Sequence, residues 1–510
     1  VLVRKAIAIT TVVIAILVGA WVSVATWSGG AVTARLEQQA LELSKLSPNI
    51  KIVKQTVDRG LFKSTHQFTV QLGCVPGAAL DAVAAAGAGA LPGLATPGTP
   101  GKAGPPIELS FRNVVWHGPL PGFRSVGVAS IDSELLTPEA YKTELAKVIG
   151  KQPILRVHTT VGFGRELVSD FTLAAFHYAD PQQGSFSTKA VQGKLMGKLP
   201  DKPTDASTML VDIPSMEVSS RGPDGTNALL KVGRMLSETT LAARVDPKLW
   251  LSPVKSSGVI TSIDVSGSPG SSGGTALPTL RAHSDSIKFS SASTLVEGLW
   301  STHSELTAKG KINDVALDKF EVSSSIKRVH AATYQHLLGM LFDNVLSCEQ
   351  PAGPDTFDKL LPALQKDVGA LLVHNPEYAL DKLGLELLGK RAELSYSAGT
   401  RGVTAADATQ PVALLLATKG YVRANVRVHT GLIEEIAHRV VSYDAPPGSA
   451  TTVSPQTRSF INGMIDQFAE LGYLAREGQD VVAAGAVEGG QVLLNGKPIA
   501  LPGLPLPGGP

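Results

Sequence analysis

Apolar and polar residues alternate with a period of two over much of this chain, the spacing of a strand with one covered face. His66, Phe68, Val70 and Leu72 alternate with Gln67, Thr69 and Gln71. An extended segment from Ile50 to Val57 precedes them, and Asp58-Arg59-Gly60 supplies a turn, so a hairpin is predicted. The same period recurs in Ile107, Leu109, Phe111 and Asn113, in Leu155, Val157, Thr159, Val161 and Phe163, and in Phe320, Val322 and Ser324. The chain closes with Val481–Val487, Glu488-Gly489-Gly490 and Gln491–Leu494, a second hairpin, followed by the turn Asn495-Gly496.

Helical periodicity is sparser. It predicts an amphipathic helix over Ala31–Leu46 and further helices over Pro138–Ile149, Ala331–Asn344 and Phe357–His374. A last helix over Pro455–Leu474 follows Ser454 as N-cap and places Phe460, Met464, Phe468 and Leu471 on one face. The fold class is therefore α+β, predominantly antiparallel sheet with a few packing helices.

One segment differs in kind. Arg4 and Lys5 precede an uncharged apolar run from Ala6 to Trp27. As a helix it reaches roughly 30 Å, the thickness of a bilayer's hydrocarbon core, with Trp21 and Trp27 toward one interface. The run is longer than the core of a cleaved signal, so a retained single-pass transmembrane helix is expected, with the basic pair on the cytoplasmic side. The expected organisation is an anchor over residues 1–30 and an exported ectodomain over 31–510. Flexible insertions are expected at 76–106 and 266–274, where composition collapses into small and turn residues, and a flexible tail at 502–510.

The 46 basic and 44 acidic residues are interspersed, which leaves no basic stripe for nucleic acid. Charged residues make up 18% of the chain, and a mean hydropathy of +0.13 is high for an exported protein. Cys74 and Cys348 are the only cysteines, open to one disulfide or to two separate thiols.

Several strings together resemble the YdgA family of single-pass bacterial inner-membrane proteins without a defined activity. They are Asp58-Arg59-Gly60-Leu61-Phe62-Lys63-Ser64, Trp116-His117-Gly118-Pro119-Leu120-Pro121, Val161-Gly162-Phe163-Gly164, His374-Asn375-Pro376-Glu377-Tyr378-Ala379, Gly472-Tyr473-Leu474 and Asn495-Gly496-Lys497-Pro498-Ile499. The resemblance implies an inner-membrane anchor, a strand-rich periplasmic ectodomain and no catalytic residues to transfer.

The candidate chemistry is thin. Gly384 to Lys390 has P-loop spacing but continues with Arg391 where a magnesium-binding hydroxyl belongs, and it reads as strand, turn, strand. Glu435 and His438, with His429 upstream, lack the second Glu-x-x-His of a di-metal site. His330 and His336 are six apart and fall on different helix faces. Gly270-Ser271-Ser272-Gly273-Gly274 matches a nucleophile elbow only inside low-complexity sequence. No catalytic, cofactor or metal residue is assigned. Arg59, Leu61, Phe62, Trp116 and His117 stand as candidate interaction loops. The expected function is a non-catalytic, membrane-anchored scaffold or binding protein of the cell envelope, able to self-associate. Its alternatives are a lipid-handling module with an apolar sheet groove and a periplasmic hydrolase with an unrecognised site.

Overall fold

The computed structural model describes residues 47, 49–59, 63–73, 107–117, 121, 125–137, 142–180, 184–198, 206–221, 226–243, 249, 251–268, 280–313, 315–346, 355–441 and 453–499. The expected anchor, the helix over Ala31–Leu46, the insertion at 76–106, residues 269–274 and the tail lie outside them. Among the described residues no helix is long and apolar enough to cross a membrane. The chain divides into two compact units, Val1–Leu280 with Gln335–Leu361, and Arg281–Tyr334 with Pro362–Pro510.

The first unit opens with the expected hairpin, β1 (Ile50–Arg59) and β2 (Lys63–Leu72), and continues antiparallel through β3 (Ile107–His117), β4 (Ala129–Leu136), β5 (Leu155–Val161) and β6 (Glu166–Leu173). Helix α1 (Lys142–Ile149) joins β4 to β5 and seals one end with Leu145 and Ile149. Leu135, at 1% exposure, Leu155, Leu109 and Val70 pack beneath it. His66 is fully buried, its ring nitrogens bonded to the side chains of Gln55 and Asn113 at 3.1 and 3.2 Å.

Beyond β6 each long strand breaks in two. The halves are β6 and β7 (Phe176–Asp180), β8 (Gly184–Thr188) and β9 (Val191–Lys198), β10 (Ser207–Ile213) and β11 (Met216–Arg221), β12 (Asn227–Val232) and β13 (Met235–Leu241), then β14 (Val254–Ile260) and β15 (Ile263–Ser268). Every break is two residues long: Ala174-Ala175, Lys189-Ala190, Pro214-Ser215, Gly233-Arg234 and Thr261-Ser262. The pairing keeps the breaks level, since β6–β9–β10–β13–β14 pair on one side of them and β7–β8–β11–β12–β15 on the other. The result is a crease running across five double strands. Pro214 cannot donate to a ladder, and a break is where it fits.

β15 corrects one expectation. Ser266, Gly267 and Ser268 belong to this strand and pair with Leu229, Ala228 and Asn227. Composition suggested a linker there, but the β12 edge supplies the backbone partners that small residues cannot supply by packing.

The second unit is an antiparallel meander of β16 (Leu280–Val296), β17 (Leu299–Ile312), β18 (Val315–His330), β19 (Glu377–Leu387), β20 (Lys390–Thr400) and β21 (Gly420–His429). It ends with β23 (Asp480–Glu488) beside β21, and with β22 (Ala475–Glu477), β24 (Gln491–Leu494) and β25 (Lys497–Pro498) completing the edge. Four of its tight turns place two successive residues at positive φ: Glu297-Gly298, Leu388-Gly389, Gly489-Gly490 and Asn495-Gly496. That is the backbone of type I′ hairpins, which matches the twist of the strands. The P-loop-like string is the β19–β20 hairpin, with Leu388 and Gly389 at its tip.

Helices α2 (Ala331–Leu346) and α3 (Asp355–Leu372) form close to their expected places, α4 (Val412–Lys419) and α5 (Thr430–Val441) are helices that the periodicity did not predict, and α6 (Pro455–Glu470) again forms close to where it is expected. Ser454 caps α6 by accepting from the Thr457 amide at 3.1 Å. The stripe expected on α6 exists, but it faces solvent. Ile461 and Ile465 turn inward against Val481, Ile433 and Ala437, and beside them Arg458 and Asn462 bind Glu434 of α5.

Candidate functional site

The two faces of the second unit's sheet differ sharply, and the register shows why. Residues directly opposite one another share a face. One row crosses seven strands as Phe289, Leu306, Val322, Leu383, Leu394, Val426 and Ala483. The next reads Ile287, Ala308, Phe320, Leu385, Ala392, Val428 and Val481. Toward the other strand ends, Ile326, Tyr378, Ala398, Val422, Val487 and Val492 continue the apolar face.

Among the described residues, helices cover only a corner of this face. Val481 is buried under α6, and α5 packs against β20 and β21. Elsewhere Phe289, Leu306, Val322, Leu383 and Leu394 are half-buried, while Val426, Val422 and Tyr378 are 39%, 38% and 49% exposed. Contiguous open apolar surface of this kind marks a binding surface more often than a plain exterior.

The opposite face is charged and paired with itself. Glu321 takes Lys319 at 2.7 Å and also Lys382, while Arg391 and Lys382 both reach Glu393. Burial alone would raise the Glu321 carboxyl, but hydrogen bonds from Lys319 and Lys382 hold it below its ordinary value. Further along, Glu377 accepts from Lys327 Nζ at 2.8 Å and from the Tyr421 hydroxyl at 2.6 Å. Arg401 and Arg423 stack near the Tyr421 ring and share Glu488. Lys327 and Tyr421 hold the Glu377 carboxyl below its usual range, whereas burial and Glu377 together push the Tyr421 hydroxyl up.

These shifts set a stability window. Glu377, depressed in the folded chain, contributes stability that is present above its unfolded value near 4.5 and is lost as pH falls through the lower folded value. Tyr421, raised in the folded chain, contributes stability that is present below 10.0 and is lost as pH rises through the higher folded value. Urea midpoints measured across both limbs should therefore fall at each end. Glu377→Gln should flatten the acid limb and Tyr421→Phe the alkaline one, and unchanged limbs would contradict the assignment.

Two histidines that sequence reasoning left apart come together here. His330, at the end of β18, stacks on His374, with centroids 4.6 Å apart and planes within 12°. Burial first, then the neighbouring His330, lowers the His374 imidazole. His330 Nδ1 meets Thr333 Oγ1 at 2.8 Å, and Trp300 stacks on Tyr334 beside it. His374 opens one of the family-like strings, which was the available signal. His336, the partner considered from sequence, is not part of the stack.

The other sequence candidates resolve as follows. Arg59 is the last residue of β1 and His117 the last of β3, and their side chains, Leu61, Phe62, Cys74 and Cys348 all lie outside the described residues. Trp116 packs on the sheet, with Lys63 Nζ 4.9 Å from its ring centre and its Nε1 donating to Asp132 at 3.4 Å. Asp132 also binds His158 Nδ1 at 2.7 Å, but among the described residues no hydroxyl or thiol bonds the other ring nitrogen of His158. No Ser-His-Asp arrangement is therefore assembled at this pair among the described residues. Glu435 and His438 sit on α5, and His429 bonds Gln479 at 2.9 Å. No group of three metal-ligating side chains is assembled among the described residues.

A cavity of about 690 Å³ lies along the crease of the first unit, between His177, Lys189, Glu217, Lys231 and Asp264. Glu217 and Lys231, neighbours on β11 and β12, pair at 3.4 Å along its wall. Its walls mix both charge signs and converge on no single ligand chemistry.

The chain belongs to a family described as bacterial proteins of unknown function (DUF945), whose model matches residues 3–502. No curated protein and no solved structure matches it.

Proposed function

We propose that this chain is a non-catalytic binding protein of the bacterial cell envelope, held at the inner membrane by Ala6–Trp27, that carries extended acyl chains on the open face of its second unit. The observation that carries the reading is the unbroken apolar row from Phe289 to Ala483, flanked by a second row from Ile287 to Val481. Seven strands at roughly 4.8 Å spacing make the row about 29 Å long. A bilayer's hydrocarbon core, two acyl layers deep, is about 30 Å thick, so the row could seat two chains end to end. Burying such chains against Leu, Val, Phe and Ala needs no directional partner, which suits a face without hydrogen-bonding side chains along these rows.

The test is a photocrosslinker placed at Leu394 in the full chain, expressed in bacterial cells with the sequence of the anchor intact. Adducts of phospholipid or fatty-acid mass are expected, with none from the same crosslinker at Glu393, one residue away and on the charged face. Equal lipid labelling at both positions, or protein adducts alone at Leu394, would overturn the reading.

A further inference from the structure

Among the described residues, the apolar stripe on α6 is absorbed by neither core nor sheet face. Phe460, Met464, Phe468 and Leu471 are 68%, 42%, 42% and 60% exposed, and the Tyr473 ring lies 6.2 Å from that of Phe468. From this stripe we infer that α6 is a homodimer interface, pairing with α6 of a second copy about a twofold axis.

Three observations select that occupant. The first is area. Five side chains of this size and exposure present on the order of 500 Å² per copy, so a twofold contact buries about 1,000 Å² in total, near the lower end for a specific interface.

The second is charge. Arg458 is paired with Glu434 at 3.0 Å, and Arg476 with Asp466 at 2.7 Å, both inside one chain. Both arginines beside the stripe are therefore neutralised within their own chain, and Glu470 leaves a single carboxylate per copy at the helix end, so no cluster of like charge opposes an isologous contact. The rim also lacks the Lys- and Arg-rich polar face of a helix that lies on an anionic bilayer.

The third is shape. Phe460, Met464 and Phe468 form one ridge at four-residue spacing, the ridge that interdigitates in the commonest helix crossing. Gly463 stands beside it, with nothing within 4 Å of where a Cβ would be. A partner helix can approach closely there.

The test uses charge exchange in the full chain, purified in detergent, with mass read by sedimentation. The wild type should be dimeric. Phe468→Lys and Phe468→Glu should each weaken dimerisation by roughly a hundredfold, because a twofold axis doubles any like charge. Mixing the two variants should restore a dimer containing one of each. A monomeric wild type, or variants that dimerise as the parent does, would overturn the inference. So would two weakened variants that fail to pair when mixed, since melting temperatures near the parental value would show both folded. Because the acyl-binding rows lie on β16–β23, a Leu394 crosslinker in Phe468→Lys should still label lipid, which keeps this result separate from the proposed function.

Discussion

Gly184→Val is expected to destabilise the first unit by about 3 kcal/mol or more. Gly184 opens β8 at a φ of +118°, a region that side chains rarely enter. A Cβ there would stand 2.1 Å from the Ser219 carbonyl oxygen on β11. Both partners are backbone, so relief requires the β8–β11 ladder to open. That ladder also holds Ser185 N to Ser219 Oγ at 2.9 Å and the two serine hydroxyls at 2.8 Å, and opening it costs those bonds as well. Strain of this class costs roughly 1–3 kcal/mol before any lost contact is added. Hydrogen exchange provides the measurement. Amides of β8, β11 and β12 should lose protection, while those of β19–β21, in the other unit, keep theirs. Parental protection in β8 would show that the chain tolerates the side chain and would refute the geometry.

The crease containing β8 is also where the sequence was least legible. Period-two alternation revealed β2, β3, β5 and β18 because in each the apolar residues keep to one face with no break in phase across the alternating stretch. In the creased region the halves are five to eight residues long, and each two-residue break resets the phase. Thr208, Leu210 and Asp212 share one face with no consistent polarity, since both faces there are half-solvated. A pattern built on one wet and one dry face carries no signal in such strands.

Legibility of the site followed the same logic. Three of the family-like strings turn out to be corners of the chain. Asn375 adopts φ +50° between α3 and β19, its Oδ1 accepting from Val403 N at 3.2 Å. Gly472, at φ +77°, ends α6, with Tyr473 N bonded to Phe468 O at 2.9 Å. Asn495-Gly496 is a hairpin tip. These three meet backbone requirements of the fold. The apolar rows could not be read from any one segment, because each strand contributes only one or two residues to a row and the register that joins them is set by the turns. The α6 stripe was legible as a stripe. Its direction was not, since Ile461 and Ile465 are buried against Ile433 and Ala437 of α5 and Val481 of β23, partners that lie outside the helix's own sequence.

Leu383→Glu separates a binding face from a core face. Leu383 sits in the middle of the long row, opposite Val322 and Leu394, and is half-buried. If the row is open to solvent, a carboxylate there stays hydrated, and the folded chain loses about 1 kcal/mol or less, as surface changes do. An acyl chain crossing the row would instead have to desolvate that carboxylate with no partner on the apolar face, at a cost of several kcal/mol. The expected result is a melting temperature close to the parental one together with at least a tenfold loss of lipid recovered with the purified full chain. The charged face supplies the control: Glu393→Leu removes a carboxylate beside Leu394 but on the other side of the sheet, and should leave lipid recovery unchanged. A steep fall in stability for Leu383→Glu would mean that other protein covers the row, and undiminished lipid recovery would mean that any bound lipid sits elsewhere. Either outcome would remove the acyl-binding reading, because that reading requires a face apolar enough to hold a hydrocarbon chain and open enough to release one.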